Sequence, residues 1–276
     1  WGLVVNEAMA CGLPAIVSDR VGCAPDLVMP GITGEVFPFG DIGRFSEILV
    51  GFSHGKESLV AMSDASRENI LKYSINNAVE GVFKAIVSTV KQKTPIVVLE
   101  PHPVQYHAPV YRYLQQKMNI PVSVIYGSDF SVVGYMDKEF GAHFSWDTDL
   151  LSGYTSIFLS RTPQSGMSPC EKVPSKGLKE VLLSLRPSVI LLTGYARLSD
   201  LSAFNVSRKV RCPIFFRGET CDHARRRSAI GSLVRDVFLK WFYRHCVYLL
   251  YIGQRSLEHY KRLGVSESKL IFSPYC

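Results

Sequence analysis

The chain has 276 residues, of which 47% are hydrophobic and 20% charged, with a formal net charge of +7. That balance excludes a disordered chain, the length suits about two ordinary domains, and no apolar run approaches the roughly 18 residues of a membrane-spanning helix. The seven cysteines include no C-x-x-C pair and no Cys/His spacing suited to zinc, so they read as reduced thiols of a cytosolic protein.

In chain order, the opening Trp1-Gly-Leu-Val-Val5 starts a short helix that carries one carboxylate, Glu7. It should end at Cys11-Gly12, a good C-cap, with Pro14 beyond it. Residues 15–17 read as a buried strand, followed by turns at Ser18-Asp19 and Gly22. The free N–H groups of a helix N-terminus suit a phosphate or diphosphate, and Glu7 then lies within reach of hydroxyl groups on the same ligand. Helices are expected at 42–51 and 64–72, around a polar stretch at 53–57. Residues 75–90 form a long amphipathic pattern with apolar positions 75, 79, 82, 83, 86, 87 and 90. Lys91-Gln-Lys-Thr94 is the best boundary in the chain. Only about two strands precede it, where a doubly wound domain needs five or six.

Beyond the boundary, strands are expected at 96–99, 122–126, 189–192, 214–216, 248–252 and 270–272, with a further candidate within 140–146. Helices are expected at 108–118, 176–185, 198–209, 228–245 and 255–263, and 153–174 reads as loop. Such alternation predicts a parallel sheet with helices on both faces. The charge is uneven: residues 1–93 carry a net of −2, which leaves +9 on the rest. Much of it flanks the 228–245 helix, through Arg225-Arg-Arg227, Lys240 and Arg244. The apolar stripe of that helix, Ile230, Leu233, Val234, Val237, Phe238 and Trp241, is expected to pack on the sheet; the alternative is an anionic membrane surface. No recognised nucleic-acid motif accompanies the basic charge.

The string Glu7-Ala-Met-Ala-Cys-Gly-Leu-Pro14, with Gly31-Ile-Thr-Gly34 and Gly40-Asp41 after it, resembles the donor half of retaining GT-B glycosyltransferases of family 4. Residues 94–276 resemble the N-terminal, acceptor-side domain of the same family, through 103–112, 126–130, 214–219, 251–253 and 270–275. Many relatives carry a Gly-Gly pair where this chain has Pro103-Val-Gln105. The resemblance implies an α/β fold of GT-B type with Rossmann-like sheets, divided into 1–93, a partial nucleotide-sugar domain, and 94–276. It also implies sugar transfer with retention from a nucleotide-sugar to a glycan, lipid-linked or small-molecule acceptor, with no divalent metal and no other cofactor. Gly2 and Leu3 would meet the donor's sugar and diphosphate, and Glu7 its ribose; the family's preceding glutamate would lie before Trp1. Donor remnant before acceptor domain reverses the family's order, which is most simply explained by two units in tandem within a longer polypeptide. Circular permutation is the alternative, as is a non-catalytic nucleotide- or glycan-binding module for the function.

On the acceptor side, Gln105 and His107 follow the first strand of the second unit, and Arg217 and Glu219 follow another at its carboxyl end, where open α/β sheets bind ligands. For His107 a loop or capping role is the alternative, and for Arg217-Gly-Glu219 an internal ion pair. His102 and His223 have weaker claims, and Asp147 and Asp149 read as solvated loop acids. The expected setting is cytoplasmic, with peripheral contact at the inner face of a membrane left open.

Overall fold

The computed structural model describes residues 1–90, 95–137, 141–161, 176–222 and 228–276. The first segment comprises α1 (Leu3–Ala10), β1 (Ala15–Ser18), α2 (Ala24–Leu27), β2 (Gly34–Phe37), α3 (Ile42–His54), α4 (Lys56–Ile70) and α5 (Ile75–Thr89). Its small core is Val5 and Met9 of α1, Ala15 and Val17 of β1, and Cys23, Ala24, Leu27 and Val28 around α2. β1 and β2 pair in parallel with Ala15 opposite Gly34. A side chain at Gly34 would overlap the Ala15 carbonyl oxygen and put its Cβ 2.8 Å from the Ala15 carbonyl carbon, so only glycine fits. Next to it, the buried Thr33 hydroxyl donates to Leu27 O at 2.9 Å and accepts from Met29 N at 2.8 Å, which locks the turn. Asp41 caps α3 by accepting from Arg44 N at 2.9 Å. The later glycine-rich motif therefore builds this segment's backbone.

The second unit contains β3 (Ile96–Glu100), α6 (Ala108–Gln116), β4 (Val122–Tyr126), α7 (Phe130–Val133), β5 (Tyr135–Asp137), β6 (Ala142–Phe144) and β7 (Thr155–Phe158). It continues with α8 (Leu178–Leu185), β8 (Val189–Leu192), α9 (Leu198–Val210), β9 (Ile214–Arg217), α10 (Ala229–His245), β10 (Tyr248–Tyr251), α11 (Gln254–Arg262) and β11 (Leu270–Phe272). Seven of its strands form one parallel sheet in the order β11-β10-β9-β8-β3-β4-β7. This is the expected α/β, Rossmann-like arrangement of GT-B type. The expected strand within 140–146 pairs instead with β5 as a separate antiparallel hairpin. The edge strand β7 falls inside a stretch expected to be loop; it is four residues long and only half buried.

All five residues of β3 are buried, because the sheet is covered on both faces. Ile96 and Val98 face one core and Val97 and Leu99 the other. The second core is closed by α8, α9, α10 and α11 through Leu182, Phe204, Phe242 and Tyr260. The first is closed by α6 and, across the boundary, by α5, whose Ala78, Val79, Val82, Ala85 and Ile86 lie in the same cluster as Ile96 and Val98. α5 thus precedes the expected boundary but belongs physically to the second unit's core. At Gly81 the two backbones nearly touch: an added Cβ would overlap Phe272 O and lie 2.7 Å from Ser273 Cβ. The Ser273 hydroxyl donates to Ala78 O at 2.8 Å, which fixes the register of this contact.

α10 departs from expectation in a second way. Leu239, Phe242, Tyr243 and the adjoining Cys246 face the core, whereas Ile230, Leu233, Val234, Val237 and Trp241 are exposed. At 100° per residue the two groups point to opposite sides of the helix. Of the stripe expected to pack on the sheet, Phe238 packs against the second core and the other five residues face solvent.

Candidate functional site

The carboxyl ends of β3 and β8 mark the point where strand order reverses, and open α/β sheets bind ligands there. β3 ends in Glu100, only 2% exposed. The Tyr111 hydroxyl donates to its Oε1, and the Thr193 hydroxyl lies 2.9 Å from its Oε2. Nδ1 of His107 is 2.8 Å from Oε1, off the direction of a hydrogen bond. Burial pushes the Glu100 carboxyl up, but the His107 imidazole and the two hydroxyls outweigh it and hold the pKa below the usual value.

His107 is buried among the rings of Tyr106, Tyr111 and Tyr275, and its Nε2 has no hydrogen-bond partner. It opens α6 without a side-chain cap bond, so the capping role is not realised and the ring instead faces Glu100. Gln105 stands half-buried in the loop before it. His102 donates from Nδ1–H to Pro103 O at 3.0 Å and packs on Phe130; burial lowers its pKa.

Arg217 is not a cleft residue. Its guanidinium is 1% exposed, lies 4.9 Å over the Tyr275 ring, and donates to the carbonyls of Ser273 (3.2 Å) and Pro274 (2.5 Å). It clamps the chain after β11, and it makes no ion pair with Glu219. Glu219 is exposed and lines a narrow cleft together with Trp1, Gly22 and Gly253.

Other contacts bring the first segment to the sheet's carboxyl edge. The Trp1 indole donates to Asn6 Oδ1 at 2.9 Å, and Asn6 donates to Tyr275 O at 3.4 Å. Asp26 Oδ1 accepts from Gln254 N at 2.8 Å, capping α11, and Arg255 donates to Arg20 O at 3.2 Å. Gly2 caps α1 with a φ of 137°, Leu3 begins the helix half-buried, and Glu7 lies on its exposed side. Among the described residues the Glu7 carboxylate makes no hydrogen bond or ion pair. The structure thus brings Trp1-Gly2 and Glu219 together on one seam, while Gln105 and His107 sit deeper at the reversal point.

A feature absent from the sequence reading lies beside that point. A pocket of about 340 Å³ is lined by Thr193, Tyr195, Arg197, Asp200, Glu219 and Arg235, among others. Asp200 is 1% exposed; its Oδ2 accepts from Arg197 N (3.2 Å) and Nε (3.0 Å), while Oδ1 is buried with no partner. Burial raises its pKa against the opposing pull of Arg197. The available signal was Thr193-Gly-Tyr-Ala-Arg197 directly after a buried strand. Among the described residues no cluster of His, Cys, Asp or Glu is placed to hold a metal ion. Asp149 instead accepts from the amides of Leu151 and Ser152, and His223 lies outside the described residues.

With this geometry in place, the likeness of the first segment has a structural setting. Residues 1–69 match the family described as glycosyl transferases group 1. The match covers α1 to α4 and includes Gly2, Leu3, Glu7, Gly34 and Asp41. Similarity also extends to N-acetyl-alpha-D-glucosaminyl L-malate synthase of Bacillus anthracis, at 29% identity over 86 residues. That aligned stretch is 31% of this chain and 22% of the relative, so the chain spans about a fifth of the length of the curated relative it matches. Both likenesses support a glycosyltransferase of GT-B type.

Proposed function

We propose that the chain is part of a glycosyltransferase that moves a sugar from a nucleotide-sugar to a glycan, lipid-linked or small-molecule acceptor, with retention and in a cytoplasmic setting. The observation that carries this reading is the seam itself. The opening of a segment similar to group 1 glycosyl transferases lies beside Glu219 and against the carboxyl edge of a Rossmann-like sheet, through Asn6 on Tyr275 O and Asp26 on Gln254 N. In this reading Glu7 accepts hydrogen bonds from the donor's ribose, and the Gly2-Leu3 amides face its diphosphate. The pocket at Asp200 and Arg197 receives acceptor hydroxyls, with the unpartnered Asp200 Oδ1 as acceptor atom. Catalysis would come from holding both substrates in one geometry and from stabilising charge on the departing diphosphate. The name of the relative couples an N-acetyl-glucosaminyl group to malate, which supports a sugar donor and a small polar acceptor as a class.

Isothermal titration tests the donor half with the uridine, adenosine and guanosine diphosphate sugars. One of them should bind, and Glu7→Ala should weaken binding by about 1.5–3 kcal/mol, the range for a hydrogen bond to a charged group. Unchanged affinity in Glu7→Ala would remove that residue from the site, and no binding of any nucleotide-sugar would overturn the reading.

A further inference from the structure

We propose that the outer face of α10 is a docking surface for a bilayer that carries anionic lipid. Ile230, Leu233, Val234 and Val237 are 62–76% exposed and Trp241 is 40% exposed. Their spacing of three, four, seven and eleven residues from Ile230 places them in one stripe. The stripe runs for about 16 Å along the helix at 1.5 Å per residue. It is not the margin of a buried face, since the residues that pack on the sheet, Leu239, Phe242 and Tyr243, lie on the opposite side. Trp241 anchors one end of the stripe on Phe204 and Phe238, and the stripe is larger than a scatter of surface hydrophobics requires.

Charge selects the occupant. Lys240 and Arg244 border the stripe and are exposed. The helix's one acid, Asp236, is held away from it in ion pairs with Arg262 and Arg235. A groove of about 550 Å³ next to the stripe is lined by Lys240, Trp241, Arg244 and Lys269, together with Val237 and the 263–265 turn. Apolar side chains flanked by cations that make no ion pair among the described residues fit the boundary between acyl chains and anionic headgroups. Two copies of this chain meeting through the stripe would bring Lys240 and Arg244 of each against like charge. Among the described residues no helix is long and apolar enough to cross a membrane.

The test is co-sedimentation of the 276-residue protein with vesicles of phosphatidylcholine alone and of phosphatidylcholine with one-third phosphatidylglycerol. Trp241 emission is read in parallel, against a Trp241→Phe control. Binding to the anionic vesicles with a blue shift is expected. The exposed pair Leu233→Ser with Val237→Ser should weaken it about tenfold or more. Lys240→Gln with Arg244→Gln should weaken it about 30-fold, from about 1 kcal/mol per cation. Circular dichroism confirms that each variant is folded. Absence of vesicle binding, or binding that the serine pair leaves unchanged, would overturn the proposal. So would a doubled mass in light scattering that the serine pair abolishes, because a second copy of the chain would then cover the stripe.

Discussion

Adding one methyl group at Gly81 tests the joint between α5 and the second unit's sheet. In Gly81→Ala the new Cβ would overlap Phe272 O and lie 2.7 Å from Ser273 Cβ and 2.9 Å from Phe272 C. Ordinary carbon contacts are about 3.5–4 Å, so α5 must retreat by about 1 Å, and a gap of that size forfeits roughly a quarter to a half of each contact. The side chains that lose contact are Val79, Val82 and Ile86, all buried, whose burial is worth about 1.5–3 kcal/mol each. Against this, alanine favours a helix interior over glycine by about 1 kcal/mol. The net expectation is a loss of about 1–3 kcal/mol, the usual cost of overpacking. Gly51→Ala is the control: Gly51 sits within α3, is exposed, and has nothing within 4 Å of an added Cβ. It should gain about 0.5–1 kcal/mol. Thermal unfolding followed by circular dichroism should separate the two variants by several degrees, at about 2–4 °C per kcal/mol. If Gly81→Ala is as stable as Gly51→Ala, the close approach of α5 to β11 is refuted.

A chain of residues 75–276 should melt cooperatively, whereas 95–276 should melt lower or aggregate, because it lacks Val79, Val82 and Ile86 at about 1.5–3 kcal/mol each; equal melting temperatures would detach α5 from this core. Burial lowers the pKa of His102 and of His259, the latter against Asp222 and beside Arg235 and Arg262. Below the unfolded value of about 6.5 the native state therefore binds fewer protons than the unfolded one, and stability should fall as pH drops from about 7.5 to about 5.5. His259→Gln should flatten part of that slope, and a slope unchanged in this variant would dismiss the histidine. The Arg262 and His259 contacts outweigh burial and hold the Asp222 carboxyl below its usual range, so its contribution should be lost only below about pH 4. Arg217→Lys should cost about 1.5–3 kcal/mol, since one ammonium cannot reproduce the planar fork that meets both carbonyls; hydrogen exchange at Tyr275 should rise with it.

The sequence made the regular elements legible where burial was complete. β4 and β8, buried at every residue, have the expected bounds, and so does β11, a short apolar run buried at its centre. Three things were not legible, for different reasons. β7 is a half-exposed edge strand beside glycine, which gives neither a run nor an alternation. The apolar period of α5 was clear, but a period states that a face is buried and not which core receives it. In α10 two faces satisfy the same 3.6-residue period, and periodicity favoured the one that is exposed. Among the candidate site residues, Glu7 was singled out by its place in the opening helix and by the family resemblance, and Glu219 by its position after the carboxyl end of a strand. Arg217 shared that signature yet folds inward, because the carbonyls of Ser273 and Pro274 reach it from fifty residues or more along the chain. Glu100 and Asp200 were missed because a single acid after a strand or within a helix's first turn reveals its importance only once its neighbours have folded around it.

The carboxylate of Glu100 has a consequence for where a substrate rests. At the reversal point of an open sheet, neighbouring helices diverge and leave a notch, and here the protein stoppers that notch with a side chain of its own. Tyr111, Thr193 and His107 treat Glu100 as they would a small anionic guest. An incoming molecule is therefore kept off the sheet's deepest point and displaced sideways, onto a rim made of the 102–107 loop, the 193–197 turn and Glu219. Shortening the stopper, as in Glu100→Asp, would move the floor of the cleft without touching its walls.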